Sequence, residues 1–291
     1  MIVTRPFFIL GLFITSLFLS LSGFAIDDKS KAKTVKSSIS LQAKAAGCSP
    51  ATGRKILEFN NVSALIETGG SMWQDRSRRE AGYEVPAGSG EKVIFAGSVW
   101  MGGLDVNNQL KLAALTHRNG NDFWTGPLST IPGSGNINLG YLDYGPAEIE
   151  PEECMKYDQF YVTTRAEVEQ FNSWYECSQD PDCDVNVDFP GYSIPSSILN
   201  WPAHGDVSKF QDFNLAPFFD RNNDGIYDVA SGDYPWYDLN GEIDCRTNRK
   251  VTLYGDYNMW WVFNDKGNIH TETGGDPIGM EVRAQAFSFA T

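Results

Sequence analysis

Apolar residues in this chain come in short runs that are separated by glycine and proline. Runs of this length predict strands when they are rich in β-branched and aromatic side chains. Four stand out: residues 92–96, 110–116, 259–263 and 281–289. In the last run apolar and polar residues alternate with the period of two that is typical of a half-buried strand. Because most of the 28 glycines and 14 prolines lie between runs, we expect a mainly β fold with sandwich-like antiparallel sheets and long loops.

One segment departs from this pattern and predicts a helix. Thr164 and Glu167 have the spacing of a capping box, in which each side chain bonds to the backbone amide of the other residue. Apolar residues follow at helical spacing: Val168, Phe171, Trp174 and Tyr175. We expect a short helical insertion at about residues 164–177 of the β scaffold.

Trp260 and Trp261 are consecutive residues of a predicted strand. Consecutive side chains of a strand point to opposite faces of its sheet. If only one face is covered, only one of the two rings lies in the core. The other is then either covered by a second layer or available to a ligand.

The N-terminus has the pattern of a secretory signal peptide. Arg5 precedes a nearly continuous apolar run at residues 7–21, and small residues allow cleavage near Ala25. We therefore predict a signal peptide at residues 1–25, a flexible leader rich in Lys, Ser and Ala at 26–55, and a β-rich domain at 56–291. The mature chain is expected to have no transmembrane span and to be secreted or on the cell surface.

The net charge of the chain indicates which classes of partner it can bind. The formal net charge is −14 at pH 7, which argues against nucleic acid and anionic membrane surfaces as partners. An acidic chain of this kind fits a protein that binds divalent cations, or one whose charge only keeps it soluble.

The chain has five cysteines, and in an exported protein these are first of all disulfide candidates. Cys177 and Cys183 close a short loop and are the favoured pair. A looser prediction pairs Cys154 with Cys245, and the odd cysteine that remains is either a free thiol or bonded to a cysteine beyond this sequence. A zinc site is disfavoured because there is no CxxC motif and the three histidines are far apart in sequence.

A run of aspartate and asparagine residues predicts a calcium-binding loop at residues 220–233. Residues with side-chain oxygens occupy loop positions one, three, five and nine. Gly225 occupies position six, where a sharp turn is needed. Ca²⁺ takes six to eight oxygen ligands. The predicted ligands are the side chains of Asp220, Asn222, Asp224 and Asp228, the carbonyl of Ile226, and Asp233 as an additional ligand.

This loop is not an EF-hand. Position twelve is Ser231 rather than a bidentate glutamate, and Pro217 upstream interrupts any flanking helix. The alternative interpretation is a solvated turn, because Asn and Asp side chains also bond to their own backbone and tolerate positive φ.

Two further acidic segments are weaker candidates. At residues 180–188 acidic and amide side chains occupy alternate positions, so in an extended segment they would share one side and attract a cation. Without a turn-forming glycine, a solvated acidic loop is the favoured interpretation. The cluster at residues 238–244 is interpreted in the same way.

Enzyme motifs are mostly missing from the sequence. Residues 191–195 are a near match to GxSxG that ends in proline, and residues 88–92 are interpreted as a hairpin turn rather than a phosphate loop. Glu272 and His270 are interpreted as loop residues in preference to an acid–base pair, and His204 as a hydrogen-bonded turn histidine.

Several sequence blocks together resemble the N-terminal region of large exported cell-surface proteins of Bacteroidetes. The blocks are residues 60–64 (NNVSA), 69–73 (GGSMW), 83–90 (YEVPAGSG), 95–105 (FAGSVWMGGLD), 120–128 (GNDFWTGPL), 201–205 (WPAHG), 220–235, 261–265, 270–272 and 277–282. Many such proteins end in a sorting domain for type IX secretion. The resemblance implies a cell-surface location and no particular reaction. No sorting domain lies within residues 56–291, so we expect a fragment or a truncated relative.

These observations predict an exported, calcium-stabilised module for adhesion, assembly or structural support rather than catalysis. The alternative is a carbohydrate-binding module or an accessory part of a secreted glycan-active enzyme. That alternative rests on the 8 Trp, 12 Tyr and 18 Phe residues, whose rings can stack on sugars but more commonly form β cores. Surface glycans or other cell-surface proteins are the expected partners.

Overall fold

The computed structural model of the protein describes residues 46–105, 107–117, 120–130, 147–237 and 253–290. Within these ranges the chain forms mostly short strands: β1 (Arg54–Leu57), β2 (Ser63–Glu67), β3 (Ser71–Met72), β4 (Gln74–Asp75), β5 (Glu80–Ala81), β6 (Tyr83–Glu84), β7 (Lys92–Ile94), β8 (Gly97–Ser98), β9 (Trp100–Leu104), β10 (Leu110–Ala114), β11 (Trp124–Thr125), β12 (Tyr161–Thr164), β13 (Phe218–Phe219), β14 (Tyr234–Pro235), β15 (Tyr257–Asn264) and β16 (Glu281–Ser288). The helices are α1 (Pro151–Lys156), α2 (Arg165–Gln179), α3 (Val185–Asp188) and α4 (Ser196–Leu199).

Antiparallel sheets dominate the described residues, which confirms the predicted mainly β fold. Each of the four strands predicted from apolar runs is present, as β7, β10, β15 and β16. The sandwich arrangement itself stays a prediction.

The largest sheet has the strand order β7-β6-β2-β3-β8, with β1 also paired to β2. A second sheet is built around β15, the longest strand together with β16. β16 pairs with the whole length of β15. On the other edge of β15, β12 pairs with its N-terminal half and β11 with its C-terminal end. Strands β9 and β10 form a separate hairpin.

The sheet around β15 is covered on both faces. On one face Trp261 and Phe263 pack with Ile66 of β2 and Ala113 of β10 in one core. On the other face Trp260 packs in a second core, which residues 201–216 help to form. Both tryptophans are therefore buried, and of the two outcomes that the sequence left open, coverage by a second layer is the one observed.

Helix α2 confirms the predicted helical insertion and runs two residues beyond it. Its N-cap is Thr164, whose side chain accepts a hydrogen bond from the Glu167 amide at 3.2 Å. The Glu167 carboxylate accepts one from the Thr164 amide at 2.8 Å, which completes the capping box. The apolar face of α2 enters a third core through Val168 and Phe171.

Two disulfides are present in the described residues. Cys177 bonds to Cys183, as predicted. Cys154 bonds to Cys48 across 106 residues, so the predicted pairing of Cys154 with Cys245 is wrong. The pairing escaped prediction because the fold, rather than the sequence spacing, brings the two cysteines together. Cys245 itself lies outside the described residues.

The same disulfide corrects the predicted leader. Cys48 is 1% exposed and its amide donates to the Gly267 carbonyl at 3.0 Å, and β1 already begins at Arg54. Residues 46–55 are thus part of the packed fold, and a flexible leader is the wrong description for them. The predicted signal peptide and residues 26–45 lie outside the described residues, as does the oxygen cluster at 238–244.

The acidic run at residues 180–188 is not extended. Asp184 caps α3 by accepting the Asn186 amide at 2.9 Å, so the helix turns successive side chains away from a common side. The idea of one shared acidic side is therefore wrong.

As for membranes, the part of the chain that the structure describes has no helix with the length and apolarity that a membrane crossing requires.

Candidate metal-binding loop

The predicted calcium loop is closed at its base by a short antiparallel ladder. Strands β13 and β14 pair through Phe218 with Pro235 and Phe219 with Tyr234. Asp220 directly follows β13, and Asp233 directly precedes β14. The pairing therefore holds the first and last predicted ligands at the same end of the loop.

Two residues with positive φ shape the turn. Asn223 has a φ of 59° and Gly225 a φ of 77°, both in the left-handed region. A Cβ added to Gly225 would meet no atom within 4 Å, so glycine is needed there for its backbone conformation and not for space. This agrees with the role that the sequence analysis assigned to position six.

The first three predicted ligands form one hydrogen-bonded group. Asp220 accepts from the amides of Asp224 at 3.2 Å and Gly225 at 2.7 Å. Asn222 accepts from the Asp224 amide at 3.1 Å and donates through Nδ2 to the Asp224 carboxylate at 2.8 Å. Asp224 in turn accepts the Ile226 amide at 2.8 Å. These are the Asx-turn bonds that the alternative interpretation predicts, and a carboxylate oxygen that accepts an amide retains a second lone pair.

The two remaining predicted carboxylate ligands, Asp233 and Asp228, are linked by a hydrogen bond. The Asp233 carboxylate is fully buried and accepts the amides of Arg221 and Asp228, both at 2.9 Å. Asp228 caps a 3-10 turn at Val229–Ser231 by accepting the Ala230 amide at 2.9 Å. Burial raises the pKa of Asp233 above its usual range. The two amide bonds oppose that shift, and the nearby charges of Asp220 and Asp224 add to it.

The carboxylates of the loop approach one another without converging on one point. In the described ranges, one group of three His, Cys, Asp or Glu side chains brings its ligand atoms within 4.8 Å of one another, and it lies elsewhere. That group is Cys177, Cys183 and Asp188, and its two sulfurs form a disulfide. A cation in the loop would therefore depend on the Asn222 amide and the Ile226 carbonyl as well as on the carboxylates.

Contacts that sequence reasoning missed fasten the loop to helix α2. The Arg221 guanidinium donates to the Asn172 side chain at 2.6 Å and lies 4.8 Å from the centre of the Tyr175 ring. Gly232 has a φ of 90°, and a Cβ there would lie 2.6 Å from the Tyr175 ring. No local pattern signals this contact, because Asn172 and Arg221 are brought together only by the fold.

His204 anchors the middle of the loop. Its Nε2 accepts the Tyr227 amide at 2.8 Å, so its Nδ1 carries the hydrogen that is donated to the Phe213 carbonyl at 3.0 Å. The Tyr227 hydroxyl donates to the Ile198 carbonyl at 2.7 Å. His204 is thus the hydrogen-bonded turn histidine that was predicted.

The other residues considered for chemistry are engaged in hydrogen bonds or turns of the fold. His270 is buried with both ring nitrogens against backbone carbonyls, and the Glu272 carboxylate accepts from Thr116 and the Gly120 amide instead of from the histidine. Residues 88–92 lie in the turn between β6 and β7, as predicted.

A cavity of about 410 Å³ lies beside the base of the loop. Its wall includes Phe218 and Trp236, and its polar groups include Arg283 and Gln285. The Trp236 ring is already stacked on Tyr237, with 4.4 Å between ring centres and 20° between planes. One face of the indole is therefore covered by protein.

Chemically, then, the loop offers a fixed turn, four carboxylates and two side-chain amides within fourteen residues, and it is held against helix α2. Comparison of the chain with models of known protein families, with curated proteins and with solved structures found no match.

Proposed function

We propose that the protein is an exported, calcium-stabilised module with a role in adhesion, assembly or structural support at or outside the cell surface. The observation that carries the proposal is the position of Asp233. Its buried carboxylate lies close enough to Asp220 and Asp224 for their charges to raise its pKa. Three like charges in one loop repel one another. A divalent cation among them would offset that repulsion, because it attracts each carboxylate.

In this proposal the ion is structural. The side chains of Asp220, Asn222, Asp224 and Asp228 and the carbonyl of Ile226 supply oxygens, with Asp233 behind them. The loop is already held by the β13–β14 ladder and by the contact of Arg221 with Asn172. Calcium would therefore bind a loop that is already ordered. Little conformational entropy would be lost on binding, which favours a high affinity for the ion.

Export is supported by the two disulfides, since such bonds persist in oxidising compartments and are rare in the cytosol. It is further supported by the signal-peptide pattern and by the resemblance to surface proteins of Bacteroidetes. The type IX route is part of the proposal. A complete reading frame without a C-terminal sorting domain would contradict that route.

The test of the calcium site is a titration of residues 26–291 with Ca²⁺ by calorimetry, together with thermal melts in calcium and in chelator. We expect saturable binding and a higher melting temperature in calcium. Asp224→Ala should abolish that increase and leave the melt in chelator nearly unchanged.

The matched control is Asp182→Ala, which removes one exposed carboxylate from the acidic run outside the loop. It should leave the calcium-dependent increase intact. Equal effects of calcium on the melts of the wild type and of Asp224→Ala would contradict the proposed ligand set. No binding at all would reduce the loop to a polar turn.

The alternative, a carbohydrate-binding role, is favoured by one observation, the cavity that Trp236, Phe218, Arg283 and Gln285 line. Aromatic walls with a few polar groups are typical of saccharide sites. A glycan array with the wild type and with Gln285→Ala distinguishes the two roles, because only the alternative predicts a glycan signal that this substitution removes.

A further inference from the structure

The side chain of His270 lies between two hydrogen-bond acceptors, and a neutral imidazole cannot donate to both. It is 4% exposed and lies in the connection between β15 and β16. Its Nδ1 is 2.7 Å from the Leu112 carbonyl oxygen, and its Nε2 is 2.6 Å from the Asp265 carbonyl oxygen. A carbonyl oxygen only accepts, so both ring nitrogens must donate. A neutral imidazole has a single N–H, and only the imidazolium has two.

A buried carboxylate supplies the matching negative charge. Asp122 is fully buried, and its nearest oxygen lies 3.8 Å from His270 Nδ1. Its two oxygens accept from the Ala114 amide at 3.2 Å, the Thr273 hydroxyl at 2.6 Å, and the amides of Glu272 at 3.0 Å and Thr273 at 3.4 Å. Accepting on both oxygens without donating is the behaviour of an ionised carboxylate. A nearby cation stabilises a buried anion of this kind.

The remaining neighbours are compatible with a cationic ring. The Trp124 ring stacks on the imidazole, with 5.8 Å between centres, and an aromatic face attracts a cation. The Asp265 carboxylate is turned to the amides of residues 278–280, and Glu272 to Thr116 and Gly120.

Two lysines also lie near the ring. Lys111 precedes Leu112 and pairs with Asp105 and Asp276 at 3.7 and 3.3 Å. Lys266 follows Asp265, and burial lowers its pKa. The ion pairs of Lys111 are thus with these two acids, whereas the imidazole of His270 is within 4 Å of Asp122.

We propose that His270 is a structural imidazolium that clasps three segments together: β10 through Leu112, the turn after β15 through Asp265, and the segment before β11 through Asp122. The clasp responds to pH. When the ring loses its proton, one carbonyl loses its donor and Asp122 loses its counter-charge, so the connection at residues 265–280 loosens from β10. Because the folded state holds this proton, alkaline conditions weaken the clasp and stability falls as pH rises.

The direct test is nitrogen NMR of residues 26–291 labelled at histidine, with the His270 signals identified by their loss in His270→Gln. At pH 7.5 an ordinary histidine is about nine-tenths neutral. We expect both His270 nitrogens to carry hydrogen at that pH, while His204 shows one protonated and one bare nitrogen in the same sample. A single N–H on His270 would overturn the proposal.

A second measurement does not depend on that spectrum. Between about pH 7 and 9 the wild type should lose stability more steeply than His270→Gln, whose side chain does not titrate in this range. Hydrogen exchange of the amides at residues 271–273 should speed up about tenfold over the same range, the factor that loss of one charge-assisted bond implies.

The substitution Asp122→Asn separates the ion pair from simple packing. It should make His270 neutral at pH 7.5, whereas Asp276→Asn, an exposed acid on the same connection, should leave the doubly protonated ring unchanged. A stability profile of His270→Gln that parallels the wild type would contradict the clasp even if Asp122→Asn failed to fold.

Discussion

Trp260 and Trp261 are consecutive residues of β15 and lie in two different cores. The Trp260 ring is 6.3 Å from Trp201 on one face of the sheet, and the Trp261 ring is 5.2 Å from Phe160 on the other. Both rings are nearly inaccessible to solvent. Neither ring therefore exposes a face on which a sugar could stack, and the sugar-binding alternative rests on Trp236 and Phe218 instead.

The two tryptophans lead to the first prediction. The indole N–H of Trp261 is buried and has no hydrogen-bond partner in the described residues. Trp261→Ala should lower the free energy of unfolding by about 3–5 kcal/mol. Trp261→Phe should lower it by about 1 kcal/mol or less, because it also removes an unsatisfied donor. Urea denaturation of both variants checks this, and equal losses would show that the N–H is satisfied.

The second prediction compares two glycines of the candidate metal-binding loop. Gly225→Ala meets only an unfavourable backbone conformation, which costs about 1 kcal/mol. Gly232→Ala adds a Cβ at 2.6 Å from the Tyr175 ring and 2.7 Å from Arg221, so it should cost at least about twice as much. It should also speed hydrogen exchange at the Arg221 amide. Identical melting temperatures for the two variants in chelator would contradict the docking of the loop on α2.

The third prediction concerns the disulfides. Replacing Cys48 and Cys154 by alanine opens a loop of about 100 residues and should cost about 4–5 kcal/mol. Replacing Cys177 and Cys183 opens a loop of six residues and should cost about 2 kcal/mol. Chemical denaturation of the two double variants measures the difference. A larger loss from the second pair would mean that α3 depends on its disulfide for folding.

The fourth prediction is a pH effect at Asp158. Burial by itself would raise the pKa of this carboxyl, but hydrogen bonds from Thr68, Thr52 and Gly53 outweigh burial and hold the pKa below its usual range. The ionised form is thus favoured in the folded protein. Its contribution to stability is present at neutral pH and is lost as pH falls below about 4.

Denaturation at a series of pH values checks this effect. Asp158→Asn should be less stable than the wild type at neutral pH, and the difference should shrink as the pH falls toward 3. Asp182→Asn, an exposed acid, is the control and should show no such convergence. A constant difference at all pH values would mean that Asp158 acts by packing and not by charge.

Local signals account for the parts of the fold that the sequence predicted. The capping box of Thr164 and Glu167 determines where α2 starts. Because its two residues are only three positions apart, it can be recognised in a short stretch of sequence. The apolar run of β15 and the alternation of β16 are likewise local signals. Strands of two residues, such as β3 and β4, escape prediction because so short a segment has no period, and only its neighbours make it a strand.

Long-range contacts account for what was missed. Cys48 and Cys154, or Arg221 and Asn172, are far apart in the chain and carry no mutual signal in one sequence. The order of oxygen donors in the loop was visible, but their orientation toward backbone amides depends on φ values at Asn223 and Gly225 and on the ladder at the base. Whether Ca²⁺ redirects them stays a prediction.

The bond between Cys48 and Cys154 also sets how the protein would carry mechanical load. Tension applied through residues before Cys48 and after Ser288 passes across the sulfur bridge directly to α1. Strands β1 to β11 lie between the two cysteines and so outside the path of force. About 350 Å of chain is thereby kept from extending under a pull. Under a pull the segment from α1 to β16 would carry the load, and the chain between the two cysteines could not be drawn out while the bond is intact.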